Sequence, residues 1–187
     1  EARLSFMGSF LPGMDPSVYA VVDIGGGSTE FVTAKEVRSV DLGSVRFTER
    51  YLSSDPVTDE EFRHCLDRVD NKLEELIDWR SMIPAEMQML AVAGTATTLA
   101  SWYLGQAEFN ADEVEGIQLT KDNLHRMVEV LKCKTIAERR DQIGIEPGRA
   151  DVLLAGAMIM WRAMERLNFP ICSVSSRGLR YGVLMDS

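Results

Sequence analysis

A triglycine bend flanked by acidic residues is the strongest chemical signal in the sequence. The stretch 23–30 reads Asp-Ile-Gly-Gly-Gly-Ser-Thr-Glu and separates two apolar, β-branched runs. Glycines adopt backbone angles closed to other residues and leave no side chain in the way, so several N–H groups can converge on one anion such as phosphate. Asp23, at the end of a buried strand, could hold Mg²⁺, and Glu30 could orient the metal or a water.

The residues after the glycines add hydroxyl donors, since Ser28 or Thr29 could donate a hydrogen bond to the same phosphate. The spacing also fits a glycine-rich hairpin in which Asp23 caps the turn, and on spacing alone both interpretations stay open. A dinucleotide fingerprint fits poorly, because the spacing is not G-x-G-x-x-G and the next segment is strand-like. The sequence also has no Walker-type Gly-Lys-Ser/Thr.

A second glycine turn lies between a predicted strand and a predicted helix. The stretch 93–98 reads Ala-Gly-Thr-Ala-Thr-Thr. A helix entered directly from a strand presents free N–H groups and the positive end of its dipole at the carboxyl edge of the sheet, which is a common anion site. Gly94 and Thr95 are therefore phosphate-binding candidates. The alternative is that Thr95 or Thr97 merely caps the helix.

Two other residue types could carry chemistry. His64 and His125 are isolated on predicted helices without partners at metal-ligand spacing, so we interpret them as ordinary surface or boundary residues. Arg177 and Arg180 follow the last predicted strand. They either reach a phosphate or form salt bridges with the acidic surface.

The elements that must position these residues alternate between strands and helices. Apolar alternation and capping-box spacing, as at Thr58 and Thr135, define them. The first three strands are joined by tight turns as a β-meander. The order βββαβα…αβα favours an α/β domain in which helices pack against a mixed sheet. We predict strands over 18–24, 28–33, 37–42, 87–93 and 169–174, and helices over 59–76, 95–101, 120–132, 135–138, 151–167 and 178–184.

Length and charge limit what the chain can be. Its 187 residues, of which 45% are hydrophobic and 26% charged, fit one globular domain and exclude intrinsic disorder. The chain has 20 Lys and Arg residues and 29 Asp and Glu residues, which gives a net charge of −9, and it contains no run of basic residues. We therefore expect no nucleic-acid partner. No apolar stretch approaches the roughly 18–20 residues that span a bilayer, and the N-terminus lacks a secretory pattern. We therefore expect a cytoplasmic protein without a membrane partner, its three cysteines reduced.

Four segments together resemble the Ppx/GppA family of exopolyphosphatases and guanosine pentaphosphate phosphatases. They are 1–4 (Glu-Ala-Arg-Leu), 23–30, 93–95 and 177–184, in the same order as in the family. The resemblance implies a ribonuclease-H-like domain of the actin-like ATPase superfamily. Family members have two such domains with the active site between them, and this chain matches the second. It implies that 1–187 form one domain, with 1–16 as the interdomain segment, and that the first domain is missing.

The resemblance also implies a role for individual residues. Glu1 matches the catalytic glutamate that activates water for attack on the terminal phosphoryl group. Asp23 and Glu30 match positions that bind Mg²⁺. The implied phosphate contacts are Gly25, Gly26, Gly27, Ser28, Thr29, Gly94 and Thr95.

The activity that the resemblance implies is Mg²⁺-dependent release of terminal phosphate from inorganic polyphosphate or guanosine pentaphosphate, a reaction linked to the stringent response. We expect this chain alone to be inactive. Its implied partners are those substrates, guanosine tetraphosphate, the missing first domain and, as an option, a second copy of the chain. One alternative is a phosphate or nucleotide sensor without turnover. Another is an actin-like ATPase or sugar-kinase-type domain, against which the Glu-Ala-Arg-Leu segment argues.

Overall fold

The computed structural model describes residues 2–178 and 181–182, which form one mixed sheet with helices on both faces. The sheet order is β3-β2-β1-β4-β6-β5. β1, β2 and β3 pair antiparallel as the predicted meander, while β1, β4 and β6 run parallel at the centre. The strands are β1 (Tyr19–Ile24), β2 (Thr29–Val32), β3 (Val37–Val40), β4 (Gln88–Val92), β5 (Gln118–Thr120) and β6 (Ile171–Val174).

The helices confirm most of the predicted order. The capping boxes that open the helices after Thr58 and Thr135 are formed as the sequence predicts. No helix among the described residues has the length and apolarity needed to cross a bilayer. The helices are α1 (Ala2–Gly8), α2 (Ser44–Tyr51), α3 (Asp59–Leu73), α4 (Ile77–Met82), α5 (Ala93–Leu104), α6 (Ala111–Val114), α7 (Lys121–Lys132), α8 (Ile136–Arg140) and α9 (Leu153–Arg166).

Five elements of the fold were not predicted, namely α1, α2, α4, α6 and β5. Helix α2 begins after Gly43 without a side-chain cap, and β5 is only three residues long, too short to show a period. Segment 1–16, predicted as a connecting segment, contains α1, whose first turn has no acidic residue and whose sequence shows no start signal. Of the predicted last helix, Tyr181 and Gly182 are helical, and the rest lies outside the described residues.

The two faces of β1 pack against different layers. Ala20, Val22 and Ile24 point into the larger core, which α3, α5, α7 and α9 cover. Val21 lies on the opposite face in a smaller cluster that includes Phe6 of α1. Because side chains alternate along a strand, Asp23 shares this second face and lies close to α1.

Candidate active site

A cavity of about 800 Å³ opens where the central parallel strands end. The carboxyl ends of β1, β4 and β6 meet at this edge because these strands share one direction. Such an edge is the usual ligand site of open α/β sheets. The cavity is lined by Ser5, Asp23, Ala93, Gly94, Thr97, Thr98, Ser101, Gln106, Ala107, Phe109, Gly144, Ile145, Glu146, Pro147, Arg149, Ser176, Arg177 and Gly178.

Two carboxylates lie side by side at the start of this edge. Asp23 of β1 pairs directly with Glu30 of β2, so both side chains project from the same face of the sheet. Asp23 is partly buried, and its Oδ2 accepts a hydrogen bond from Ser5 Oγ at 2.9 Å. Glu30 Oε1 accepts hydrogen bonds from Ser28 Oγ at 2.6 Å and from Ser39 Oγ at 2.9 Å. These hydroxyls hold the Glu30 carboxylate next to Asp23.

The glycine bend follows Asp23 and is open to solvent, but none of residues 25–30 lines the cavity. Gly26 and Gly27 are exposed, while the N–H of Gly25 donates to the Ser28 carbonyl at 2.9 Å. The Gly25 and Gly26 carbonyls accept the first amides of α2, from Ser44 and Arg46. Within the described part of the chain, the amides of Gly26 and Gly27 have no acceptor, so they remain available to an anion.

Thr29 belongs to the core face of the sheet and not to the bend. Its side chain is fully buried, and its hydroxyl donates to the carbonyl of Leu42. The structure therefore gives Thr29 a structural role, tying β2 to the loop before α2. Sequence spacing did not reveal this, because the face on which a hydroxyl lies depends on strand register.

The second predicted loop does lead into the cavity. Ala93 has a left-handed φ of 65°, which turns the chain sharply from β4 into α5. The first amides of an α-helix have no partner within the helix, and Val92 at the N-cap supplies no side-chain acceptor. The N-terminus of α5, with its partial positive charge, therefore faces the cavity at Gly94.

Of the hydroxyl residues on α5, Thr97 and Thr98 line the cavity and Thr95 does not. Thr95 is buried against α9, where a β-carbon on Gly156 would approach its Cγ2 to 2.7 Å. The Thr95 side chain therefore lies in the core and not in the cavity, which corrects the prediction that it contacts phosphate. Thr97 Oγ1 donates back to the Ala93 carbonyl at 3.2 Å.

Arg149 is the cavity arginine that sequence reasoning missed. It ends the 3₁₀ turn Pro147–Arg149, and its guanidinium lies so close to Gly94 that a β-carbon there would collide with it. Glu146 Oε2 accepts from Arg149 Nε at 3.0 Å and orients the group. The signal in the sequence was weak: a loop with two glycines and a proline that ends in arginine.

The donor set suits Mg²⁺. Among the described residues no cluster of three or more His, Cys, Asp or Glu side chains could hold a metal ion. Mg²⁺ does not require such a cage, since it is usually bound through one or two carboxylates together with phosphate oxygens and water. Asp23 and Glu30 are neighbouring oxygen donors across the β1–β2 pair and offer two such carboxylates.

The remaining predicted residues fall into three groups. Glu1 and Arg180 lie outside the described residues. Arg177 lines the cavity. His64 and His125 are exposed on α3 and α7, on the side of the sheet that carries the larger core.

Comparison with known proteins agrees with the predicted family. The model of the Ppx/GppA phosphatase family matches residues 1–187. Exopolyphosphatase 2 of Mycobacterium tuberculosis is 34% identical over the whole of this chain, which spans 61% of that protein. A guanosine-5'-triphosphate,3'-diphosphate pyrophosphatase of Photobacterium profundum is 27% identical, and the chain spans 37% of it.

The fold matches as well. The Aquifex aeolicus Ppx/GppA phosphatase aligns with a TM-score of 0.89 and 29% identity, covering all of this chain and 62% of that one. This confirms the predicted ribonuclease-H-like, actin-like fold. The chain thus spans less than two thirds of these relatives, and it belongs to the Ppx/GppA phosphatase family.

Proposed function

We propose that the protein containing this chain hydrolyses the terminal phosphoanhydride bond of inorganic polyphosphate or guanosine pentaphosphate. One observation carries the proposal: Asp23, the uncapped N-terminus of α5 and the Arg149 guanidinium line a single cavity. An anion at Gly94 would meet amide donors and a cation together, which is the arrangement that phosphoryl transfer requires. The names of the relatives support the same substrates.

In this proposal the residues of the chain position the phosphoryl group and the water. The α5 amides and Arg149 would hold the phosphoryl oxygens, and Gly94 allows the close approach because it has no side chain. By its family match, Glu1 would take a proton from the attacking water. The water oxygen then bonds to the terminal phosphorus, and the bridging P–O bond breaks, leaving orthophosphate and a shortened substrate.

A Mg²⁺ ion would be held by Asp23 and Glu30, whose carboxylates are adjacent across the β1–β2 pair. When bound, it would neutralise charge on the transferring phosphoryl group. Ser5 and Ser39 orient these carboxylates by hydrogen bonds at 2.9 Å each. Both serines are therefore positioning residues for the metal site.

The test is orthophosphate release by the intact protein from polyphosphate and from guanosine pentaphosphate. We expect Glu1→Gln and Asp23→Asn each to lower kcat at least a hundredfold, whereas Asp67→Asn, an exposed carboxylate on α3, leaves it unchanged. Full activity of the Asp23 variant would contradict the proposal. Tight guanosine tetraphosphate binding without any phosphate release would favour a sensor, and ATP-dependent transfer to a small acceptor would favour a kinase.

A further inference from the structure

Arg177 is the second arginine of the cavity, and the structure leaves its cation available. It follows β6, lines the same cavity as Asp23 and Gly94, and is partly buried. Its guanidinium lies over the ring of Tyr181 at 4.6 Å, and its Nη1 donates at only 3.4 Å to the carbonyl of Phe10. Among the described residues, no carboxylate lies within ion-pair distance of Arg177.

An arginine without a carboxylate partner is unusual in an acidic chain, which here has 29 Asp and Glu residues and 20 Lys and Arg residues. Arg149, in the same cavity, is paired with Glu146 at 3.0 Å. A guanidinium is planar and rigid, and it stacks on an aromatic ring while its N–H fork stays free for a bidentate anion. Tyr181 therefore orients Arg177 without neutralising it.

The backbone beneath Arg177 is held by a partly buried hydrogen-bond network. Glu115 Oε2 accepts from the Ser176 N–H and the Ser176 hydroxyl at 2.8 Å each. Ser175, fully buried, donates to the carbonyl of Ser9 at 2.9 Å and also contacts Glu115 Oε2 at 3.3 Å. The loop is thus fixed before a ligand arrives, which lowers the entropy cost of binding.

We propose that Arg177 binds a second phosphoryl group, next to the one held at Gly94 by Arg149, and so selects condensed phosphates over orthophosphate. The inference rests on the proposed function and deepens it. The cavity of about 800 Å³ lies within the ~300–1,000 Å³ range of ligand sites, so it has space for a chain of phosphoryl groups. Glu115 is a positioning residue that acts through the loop.

The test uses two anions that the protein cannot shorten: orthophosphate and methylenediphosphonate, whose P–C–P bridge resists hydrolysis. Each is titrated calorimetrically into the intact protein with Mg²⁺ present. We expect Arg177→Ala and Arg177→Gln to weaken methylenediphosphonate binding about tenfold and orthophosphate binding less than threefold. Arg149→Ala should weaken both anions, and Arg126→Ala, an exposed arginine of α7, should weaken neither.

The outcomes separate this inference from the function on which it rests. If Arg149→Ala weakens binding and Arg177→Ala leaves methylenediphosphonate binding within twofold, Arg177 has no such role. If Arg177→Ala lowers the affinity for orthophosphate and for methylenediphosphonate equally, the assignment of Arg177 to a second phosphoryl group is also wrong. If the parent protein binds neither anion, both proposals are wrong.

A second pair of variants tests the positioning role. Glu115→Gln keeps an acceptor oxygen for Ser176 and should retain methylenediphosphonate affinity, whereas Glu115→Ala should weaken it about as much as Arg177→Ala does. Circular dichroism and the melting temperature establish that each variant is folded. Unchanged methylenediphosphonate affinity in Glu115→Ala would exclude the positioning role.

Discussion

Gly94 shows how a missing side chain can organise a site. The Arg149 guanidinium occupies the space that a β-carbon would fill, so a side chain here would displace the arginine even though the φ of Gly94 is not left-handed. The arginine thereby lies directly against the N-terminus of α5, where the helix dipole and the cation act on the same anion.

We expect Gly94→Ala to weaken orthophosphate binding about tenfold with little loss of stability. The new β-carbon displaces the flexible end of an arginine and not the backbone, and alanine favours helix over glycine by up to about 1 kcal/mol. Calorimetric titration and thermal melting measure the two effects. Gly148→Ala is the matched control, because its β-carbon meets only Glu146 Oε1 at 4.0 Å. Unchanged orthophosphate binding in Gly94→Ala would show that the phosphoryl group does not bind at this position.

The cysteines differ in reactivity because they differ in burial. Burial raises the pKa of the Cys65 and Cys172 thiols to about 12, whereas Cys133 is exposed. The thiolate is the reactive form, so near pH 8 we expect iodoacetamide to modify Cys133 alone in the folded protein. Mass spectrometry of the digested protein measures the extent of modification at each cysteine. Modification of Cys65 at a similar rate would mean that α3 opens readily.

At the scale of elements, capping boxes set where the helices begin. Thr58 and Glu61 form one at α3, and Glu61 accepts further hydrogen bonds from Ser53 and Ser54 of the preceding loop. The carboxylate therefore joins the loop to the helix. These donors, the Ser53 hydroxyl first, lower the pKa of Glu61 from 4.5 to about 2.

This pKa shift predicts a pH dependence of stability. The folded-state pKa lies below the unfolded value, so the stabilisation is fully present above pH 4.5 and is lost as the pH falls towards 2. We expect Glu61→Gln to lower the melting temperature at pH 7 and to match the parent near pH 2. Glu60→Gln, one residue earlier in the same helical turn, should leave the melting temperature unchanged at both pH values. An equal deficit of Glu61→Gln at both pH values would contradict the assignment.

At the scale of the whole molecule, a glycine-to-glycine contact joins the two ends of the described chain. A β-carbon on Gly8 of α1 would collide with the backbone of Gly178 and Gly182, and one on Gly182 would collide with Leu4. α1 can therefore lie against the segment after β6 only because both positions are glycine. This contact keeps Ser5 beside Asp23.

We expect Gly8→Ala to destabilise the protein by about 1–3 kcal/mol, because the obstructing atoms belong to the backbone and cannot move independently. Helix propensity alone predicts the opposite sign. Thermal and urea unfolding measure the loss. Met7→Ala, an exposed neighbour on the same helix, should have a small effect. A Gly8→Ala variant as stable as the parent would show that the contact can relax.

Local pattern explains what could be predicted. The meander, the capping boxes at Thr58 and Thr135, and the strand that leads into α5 depend on residues close in sequence, and each is confirmed. The places of Asp23, Glu30 and Gly94 at strand ends and turns could be predicted for the same reason, since a bend and a strand end are local features. The family followed from short strings in fixed order and is confirmed over residues 1–187.

The sequence by itself therefore determined the family, the order of most elements and the residues at the two turns. Only the tertiary structure brought Arg149 onto Gly94, 55 positions away in sequence, and turned Thr29 and Thr95 into the core. The physical reason is that periodicity encodes which face of an element is apolar. Which side chains meet at one edge of the sheet depends on long-range packing and register, which no local pattern contains.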